Sequence, residues 1–135
     1  MVSAYREGQG LARAYAQIAG VILLIVGVLG LVIGNTIAGA LNSDLLEDVV
    51  HLATGAILAY AGFAIRDNAT VRTVVGALGV VYLVVGVLGF VSPTLFGLLP
   101  SSYTIFDNIL HLGLGVISIA VAWLIGRETE TAGTR

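Results

Sequence analysis

A ten-residue stretch of this chain occurs twice, and the two copies carry its only two histidines. Leu46-Glu47-Asp48-Val49-Val50-His51-Leu52-Ala53-Thr54-Gly55 returns as Phe106-Asp107-Asn108-Ile109-Leu110-His111-Leu112-Gly113-Leu114-Gly115, 60 residues later (111 − 51). The segments upstream match too: Gly20-Val21 and Gly27-Val28-Leu29-Gly30-Leu31 return as Gly79-Val80 and Gly86-Val87-Leu88-Gly89-Phe90, 59 residues later (79 − 20). One loop residue separates the two offsets. Each histidine has a carboxylate four residues before it and a glycine four residues after it. A duplicated unit of this kind puts both histidines at the same depth of whatever the two copies build.

What they build is set by solvent. Of the 135 residues, 58% are hydrophobic and 10% charged, whereas a soluble domain is roughly a quarter charged. A water-soluble fold of this length cannot hide that much apolar surface. The apolar runs are residues 16–34, 49–65, 74–91 and 109–125, each close to the roughly 17–25 residues that cross a hydrocarbon core as helix. They lack the strict alternation of a barrel strand, and lipid cannot satisfy an open backbone, so helix is the expected conformation. Pro93 sits where the third helix should stop. The expected fold is an all-α integral membrane protein, a four-transmembrane-helix bundle of two tandem hairpins. It forms one membrane domain, residues 1–135, with repeats at about 16–65 and 74–125 and polar tails 1–15 and 126–135. Ala38-Gly39-Ala40 resembles a signal-peptidase site after the first run. That run is longer than a usual signal core, and its glycine pattern recurs in the third, so we expect it to be retained.

Charge gives the orientation. Arg6 and Arg13 precede the first span, Arg66 and Arg72 lie between the second and third, and Arg127 and Arg135 follow the fourth. The other two connections hold Asp44, Glu47, Asp48 and Asp107 instead. The positive-inside rule then predicts a multi-pass protein of the inner (plasma) membrane with both termini cytoplasmic. The two hairpins would run in the same direction about an axis along the membrane normal. The lipid bilayer is the expected partner. A net charge of −2 gives no reason to expect nucleic acid, and the absence of cysteine excludes disulfides and thiolate metal sites.

Glycines at Gly20, Gly27 and Gly34, at Gly79 and Gly86, and at Gly55 and Gly62 are spaced by seven and so share helix faces. Small residues there permit close helix packing in lipid. The same faces, with the Gly30/Gly34 pair, could serve a homodimer, but packing within the chain is the expected use. Aromatic residues mark the two rims: Tyr15, Tyr60, Phe63 and Trp123 on one side, Phe90, Phe96, Tyr103 and Phe106 on the other. Tyr82 lies mid-span and reads as a packed ring that could also donate a hydrogen bond.

Polar groups just inside a membrane are costly unless partnered. Glu47, Asp48 and His51 share one helical face by their three- and four-residue spacing, and Asp107 with His111 repeats it while Asn108 replaces the second acid. Three readings are open. The histidines hydrogen-bond to neighbouring carboxylates or across the repeat and bind nothing. Alternatively, His51 and His111 ligate haem b from two helices, with Gly55, Gly113 and Gly115 leaving room for the porphyrin. In the third, Glu47, Asp48, His51, Asp107 and His111 surround a divalent metal ion.

No nucleophile elbow, phosphate loop, zinc-protease helix or dinucleotide fingerprint occurs. No span carries a mid-membrane charge that would mark a transport path. The repeated helix with an acid or amide, then His-Leu and glycine, preceded by a glycine-rich helix, resembles a family of small four-span bacterial membrane proteins of unknown function. The resemblance covers residues 15–123 and rests on His51, His111, Asn108, Gly55 and Gly115, with Asp48 standing where the second copy has Asn108. It implies the fold and the membrane location and carries no activity. The sequence therefore points to a non-enzymatic structural or interaction protein, with haem or metal binding as the alternatives.

Overall fold

Polar residues, more than the apolar runs, decide where the helices begin. In a computed structural model, α1 spans Val2–Ile33, α2 Leu45–Phe63, α3 Asn68–Val91 and α4 Ile105–Ile119, the last continuing as π-helix over Ala120–Ile125. The structure describes residues 2–37 and 39–125, and the side chains of 10–34 and 39–125. Arg127, Arg135, the tail 126–135, the side chain of Arg6 and Ala38 of the cleavage-like triplet lie outside them. Four stretches, Gly10–Ile33, Leu45–Phe63, Asn68–Val91 and Ile105–Ile125, are long and apolar enough to cross a membrane. The protein is an all-α, multi-pass membrane bundle.

The second and fourth helices start four residues before the apolar runs that predict them. Asp44 caps α2 by accepting from Glu47 N at 3.1 Å. Thr104 and Asp107 form a capping box on α4, with Thr104 Oγ1 accepting from Asp107 N (3.2 Å) and Asp107 Oδ2 from Thr104 N (2.7 Å). Capped this way, a polar first turn is helical although hydropathy alone reads it as loop. The acids in these first turns also face the positive ends of the helix dipoles. As the proline predicts, α3 stops at Val91, with Ser92 as its cap.

A short hairpin, β1 (Asn35–Ile37) paired antiparallel with β2 (Leu41–Ser43), links α1 to α2. Three-residue strands are too brief to show a period-2 pattern, so they carry no periodic signal. Gly39 in its turn has φ +68°, a left-handed conformation open to glycine.

α1 packs along α2, α3 packs along α4, and the two pairs meet mainly through α1 and α3. The glycine faces are used inside the chain. Gly20 lies on the backbone of Gly55 and Ala59, and Gly79 on Gly115 and Ser118. Gly27 meets Leu52 as Gly86 meets Leu112, and Gly30 meets Asp48 as Gly89 meets Asn108. Gly34, the other half of the GxxxG pair, ends α1 with φ +70°.

The arginines hold the opposite end. Arg13 donates to the carbonyls of Gly62 (3.0 Å), Ile65 (2.7 Å) and Arg66 (3.1 Å), and to Asn68 Oδ1 (2.7 and 3.1 Å). It satisfies carbonyls that the end of α2 leaves without helical partners. Arg72 Nε donates to the Ala122 carbonyl at 2.8 Å, tying the start of α3 to the π-helical end of the fourth span.

Candidate metal centre

His51 on α2 and His111 on α4 project into the bundle from equivalent turns of the two hairpins. Their ring centroids are 6.1 Å apart, tilted by 47°. Both are more than nine-tenths buried, with 8% and 6% of their surface exposed, and Glu47 is buried at 3%. Glu47 precedes His51 by one helical turn, which puts it on the same face of α2. Its Oε1 lies 3.8 Å from Nε2 of His111 on the other hairpin, too far for a hydrogen bond. One donor atom from each of Glu47, His51 and His111 falls within 4.8 Å of the other two. The triad thus joins the two helix pairs.

The other two acids of the candidate set are turned elsewhere. Asp48 accepts from Ser43 Oγ at 3.1 and 3.2 Å and lies against Gly30 of α1. Asp107 is occupied by backbone N–H groups, from Thr104 within its capping box and from Asn42 at 3.0 and 3.1 Å. The structure therefore brings together Glu47, His51 and His111, and holds Asp48 and Asp107 in structural hydrogen bonds. Asn42 is a site residue that sequence reasoning passed over. Its backbone N–H holds Asp107, while its Nδ2 donates to Glu47 Oε2 at 2.9 Å and Asp44 Oδ2 at 3.2 Å. The hairpin thus aims Glu47. Tyr103 is a second such residue, with its ring edge-on to His111 at 5.0 Å and 75°. It lies outside the spans, and its hydroxyl pKa is raised, first by burial and then by the charge of Glu47. An asparagine in a short loop and a tyrosine before a helix carry no spacing signal that could have found them.

Two features bear on what the triad can hold. Nδ1 of His51 and Nδ1 of His111 are buried with no hydrogen-bond partner among the described residues, as is Asn108 Oδ1. An unsatisfied buried polar atom costs about 1–3 kcal/mol, so a ligand able to engage the imidazoles has a free-energy gain available. The second is room. The space the haem reading assigns to Gly55 and Gly115 is taken: a Cβ on Gly55 would lie 2.8 Å from Leu24 N, and one on Gly115 2.5 Å from Leu83 N. These glycines serve helix packing. A single ion needs far less space. Ligand atoms around zinc at about 2.0–2.2 Å stand roughly 3.3 Å apart, so Glu47, His51 and His111 need close by at most about 1.5 Å.

The triad also forms the polar end of a cavity of about 540 Å³ between α1 and α4. Its walls are apolar, with Ile18, Ile22 and Leu23 on one side and Leu110, Leu114 and Ile117 on the other. Toward the arginine end it is closed by Tyr15, whose hydroxyl meets Ser118 Oγ at 2.7 Å. Tyr82 lines it from α3, and its hydroxyl meets Thr54 Oγ1 at 2.6 Å, so this mid-span ring is both packed and hydrogen-bonded. Among protein-family models, curated proteins and solved structures, none matches this chain.

Proposed function

We propose that this is a small inner-membrane protein that binds a divalent cation of the zinc type through Glu47, His51 and His111. The observation that carries the reading is three buried donor atoms within 4.8 Å of one another, contributed by both hairpins, beside two imidazole nitrogens without partners. Two histidines and a glutamate are a zinc ligand set that leaves one position open, and mixed nitrogen and oxygen donors also suit manganese or iron. Bis-histidine haem ligation has less support, because a Glu47 carboxylate oxygen lies 3.8 Å from His111 Nε2 and, of the three glycines that would admit a porphyrin, Gly55 and Gly115 are packed against neighbouring helices and Gly113 alone is open. Asp48 and Asp107 act in this reading as supports of the helix ends rather than as ligands.

The arginines at one end and the acids at the other support cytoplasmic termini, with the triad toward the outer leaflet. Membership of the four-span family that the sequence resembles belongs to the same proposal and rests on His51, His111, Asn108, Gly55 and Gly115.

Elemental analysis of the full chain, purified in detergent and equilibrated with zinc, tests the site. One equivalent per chain in the wild type, lost in His51→Ala, His111→Ala and Glu47→Gln, is the expected result. A wild type without metal, or variants that keep it, would remove the reading. Orientation is checked by labelling Ser102→Cys from outside and Ala69→Cys only after the cytoplasmic face is opened; the reverse pattern inverts it.

A further inference from the structure

The helix glycines of α2, α3 and α4 are there because a neighbouring helix leaves no room for a side chain, with one exception. A Cβ on Gly113 would have nothing within 4 Å. Gly113 sits on α4, two residues past His111, and faces the cavity between α1 and α4. No helix contact explains this glycine, and what its missing side chain preserves is space beside the triad.

That space has a definite chemistry. Ile18, Ile22, Leu110 and Ile117 line it while remaining exposed at the surface of the bundle. The cleft therefore opens sideways, which in a bilayer means toward hydrocarbon. Glu47, His51 and His111 gather at one end with Asn42 and Asp107, while the hydroxyls of Tyr15 at the other end and of Tyr82 between are already spent on Ser118 and Thr54. At about 540 Å³ it falls inside the roughly 300–1,000 Å³ range of small-molecule sites. A molecule that fits has an apolar chain and a single polar head.

The head follows from charge. Asp44 caps α2, the Asp107 carboxylate accepts from the backbone N–H groups of Thr104 and Asn42 in the first turn of α4, and Asp48 is held by Ser43, so helix dipoles and hydrogen bonds offset their charge. A divalent ion on two neutral imidazoles and one carboxylate keeps one positive charge and an open position. Burial makes that charge costly unless an anion meets it.

Resting on the metal reading, we propose that the cleft binds a long-chain carboxylate, a fatty acid. Its chain lies along Gly113 between α1 and α4, and its carboxylate takes the open position of the ion held by Glu47, His51 and His111. No bond is made or broken in the ligand; the site is one of capture from the membrane.

Native mass spectrometry of the delipidated full chain in detergent, with zinc and palmitate added, tests this. The wild type is expected to carry one zinc and one palmitate, and hexadecanol, the same chain without the carboxylate, is expected not to be retained. Gly113→Leu, which fills the cleft, should keep zinc and weaken palmitate binding by about tenfold or more, the ratio given by about 1.4 kcal/mol. Ile22→Trp on the opposite wall should do the same. Zinc bound with no palmitate adduct overturns this proposal and leaves the metal site standing. A wild type without zinc overturns both. Equal retention of hexadecanol and palmitate, or palmitate undiminished in both zinc-loaded variants, also overturns it. Loss of zinc from both variants would do so as well, by making the cleft walls a support of the ion site alone.

Discussion

Gly113 and Gly115 lie two residues apart on α4, and exchanging each for alanine separates helix packing from helix propensity. At Gly115 the new Cβ would sit 2.5 Å from Leu83 N and 2.8 Å from both Leu83 Cα and the Gly79 carbonyl oxygen. Ordinary contact is about 3.5–4.0 Å, and these are backbone atoms that cannot rotate away. α3 and α4 must therefore separate by about 1 Å where they cross, and overpacking of this kind costs about 1–3 kcal/mol. At Gly113 the Cβ meets nothing. The gain in helix propensity on leaving glycine, about 1 kcal/mol, is common to both substitutions. Gly115→Ala should therefore be less stable than Gly113→Ala by the packing cost alone, about 1–3 kcal/mol. The assay is reversible unfolding in mixed micelles with increasing dodecyl sulfate, followed by the fluorescence of Trp123. That residue is the single tryptophan and packs over Gly76 where the π-helical end of the fourth span meets α3. Equal midpoints for the two variants would refute the argument that the seven-residue glycine pattern exists for close packing.

Four further outcomes can be checked. Thr54 Oγ1 already donates to the Val50 carbonyl at 2.8 Å, so Tyr82 is the donor between them, and Tyr82→Phe should cost about 1 kcal/mol in the same unfolding assay. His51→Leu removes a buried imidazole whose Nδ1 has no partner. Without metal it should be as stable as wild type or more so, while losing the added stability, about 2.7 kcal/mol at a hundred times Kd, that zinc gives the wild type. Asp67 caps α3, and the Thr70 hydroxyl, then the Thr70 and Ala69 N–H groups, hold its carboxyl below its ordinary value. A lowered folded-state pKa stabilises above the unfolded value, about 3.9, and that contribution is lost as pH falls through the folded one. Thermal melts of Asp67→Asn should accordingly lose less between about pH 5 and pH 3 than those of wild type. Burial raises the Tyr103 hydroxyl, so its neutral form is favoured by folding and that stabilisation fades as pH rises from about 10. Tyr103→Phe should leave the 295 nm absorbance change between about pH 9 and 11 unaltered.

Some parts of the candidate site were legible and others were not, for a consistent reason. Both histidines could be placed at one depth because similar ten-residue stretches surround them at the start of the second and fourth spans. Which carboxylate meets them could not. The four-residue spacing suggests Asp107 for His111, yet Asp107 is spent on Asn42 and Thr104 while Glu47 reaches His111 from the other hairpin. Asp48 shares the helical spacing with His51 and still turns to Ser43 and Gly30. Spacing along a helix says which residues share a face; it does not say which neighbouring helix or loop competes for each side chain. The same limit separates Gly113 from Gly115: in sequence they are alternate glycines, and only the position of α3 shows that one is packed and the other faces a cleft.

What this sequence determined by itself was the number of membrane-crossing helices, the stop of the third before Pro93, and the matched depth of His51 and His111. Hydropathy, proline geometry and repetition are properties of each segment taken alone. Tertiary structure decided the rest. It assigned the Asn35–Ser43 hairpin to the capped end of the bundle, turned Glu47 rather than Asp48 or Asp107 toward the imidazoles, and left α1 and α4 apart beside Gly113. Those outcomes depend on how polar groups far apart in the chain satisfy one another where water is scarce, and that is settled only when the helices have packed.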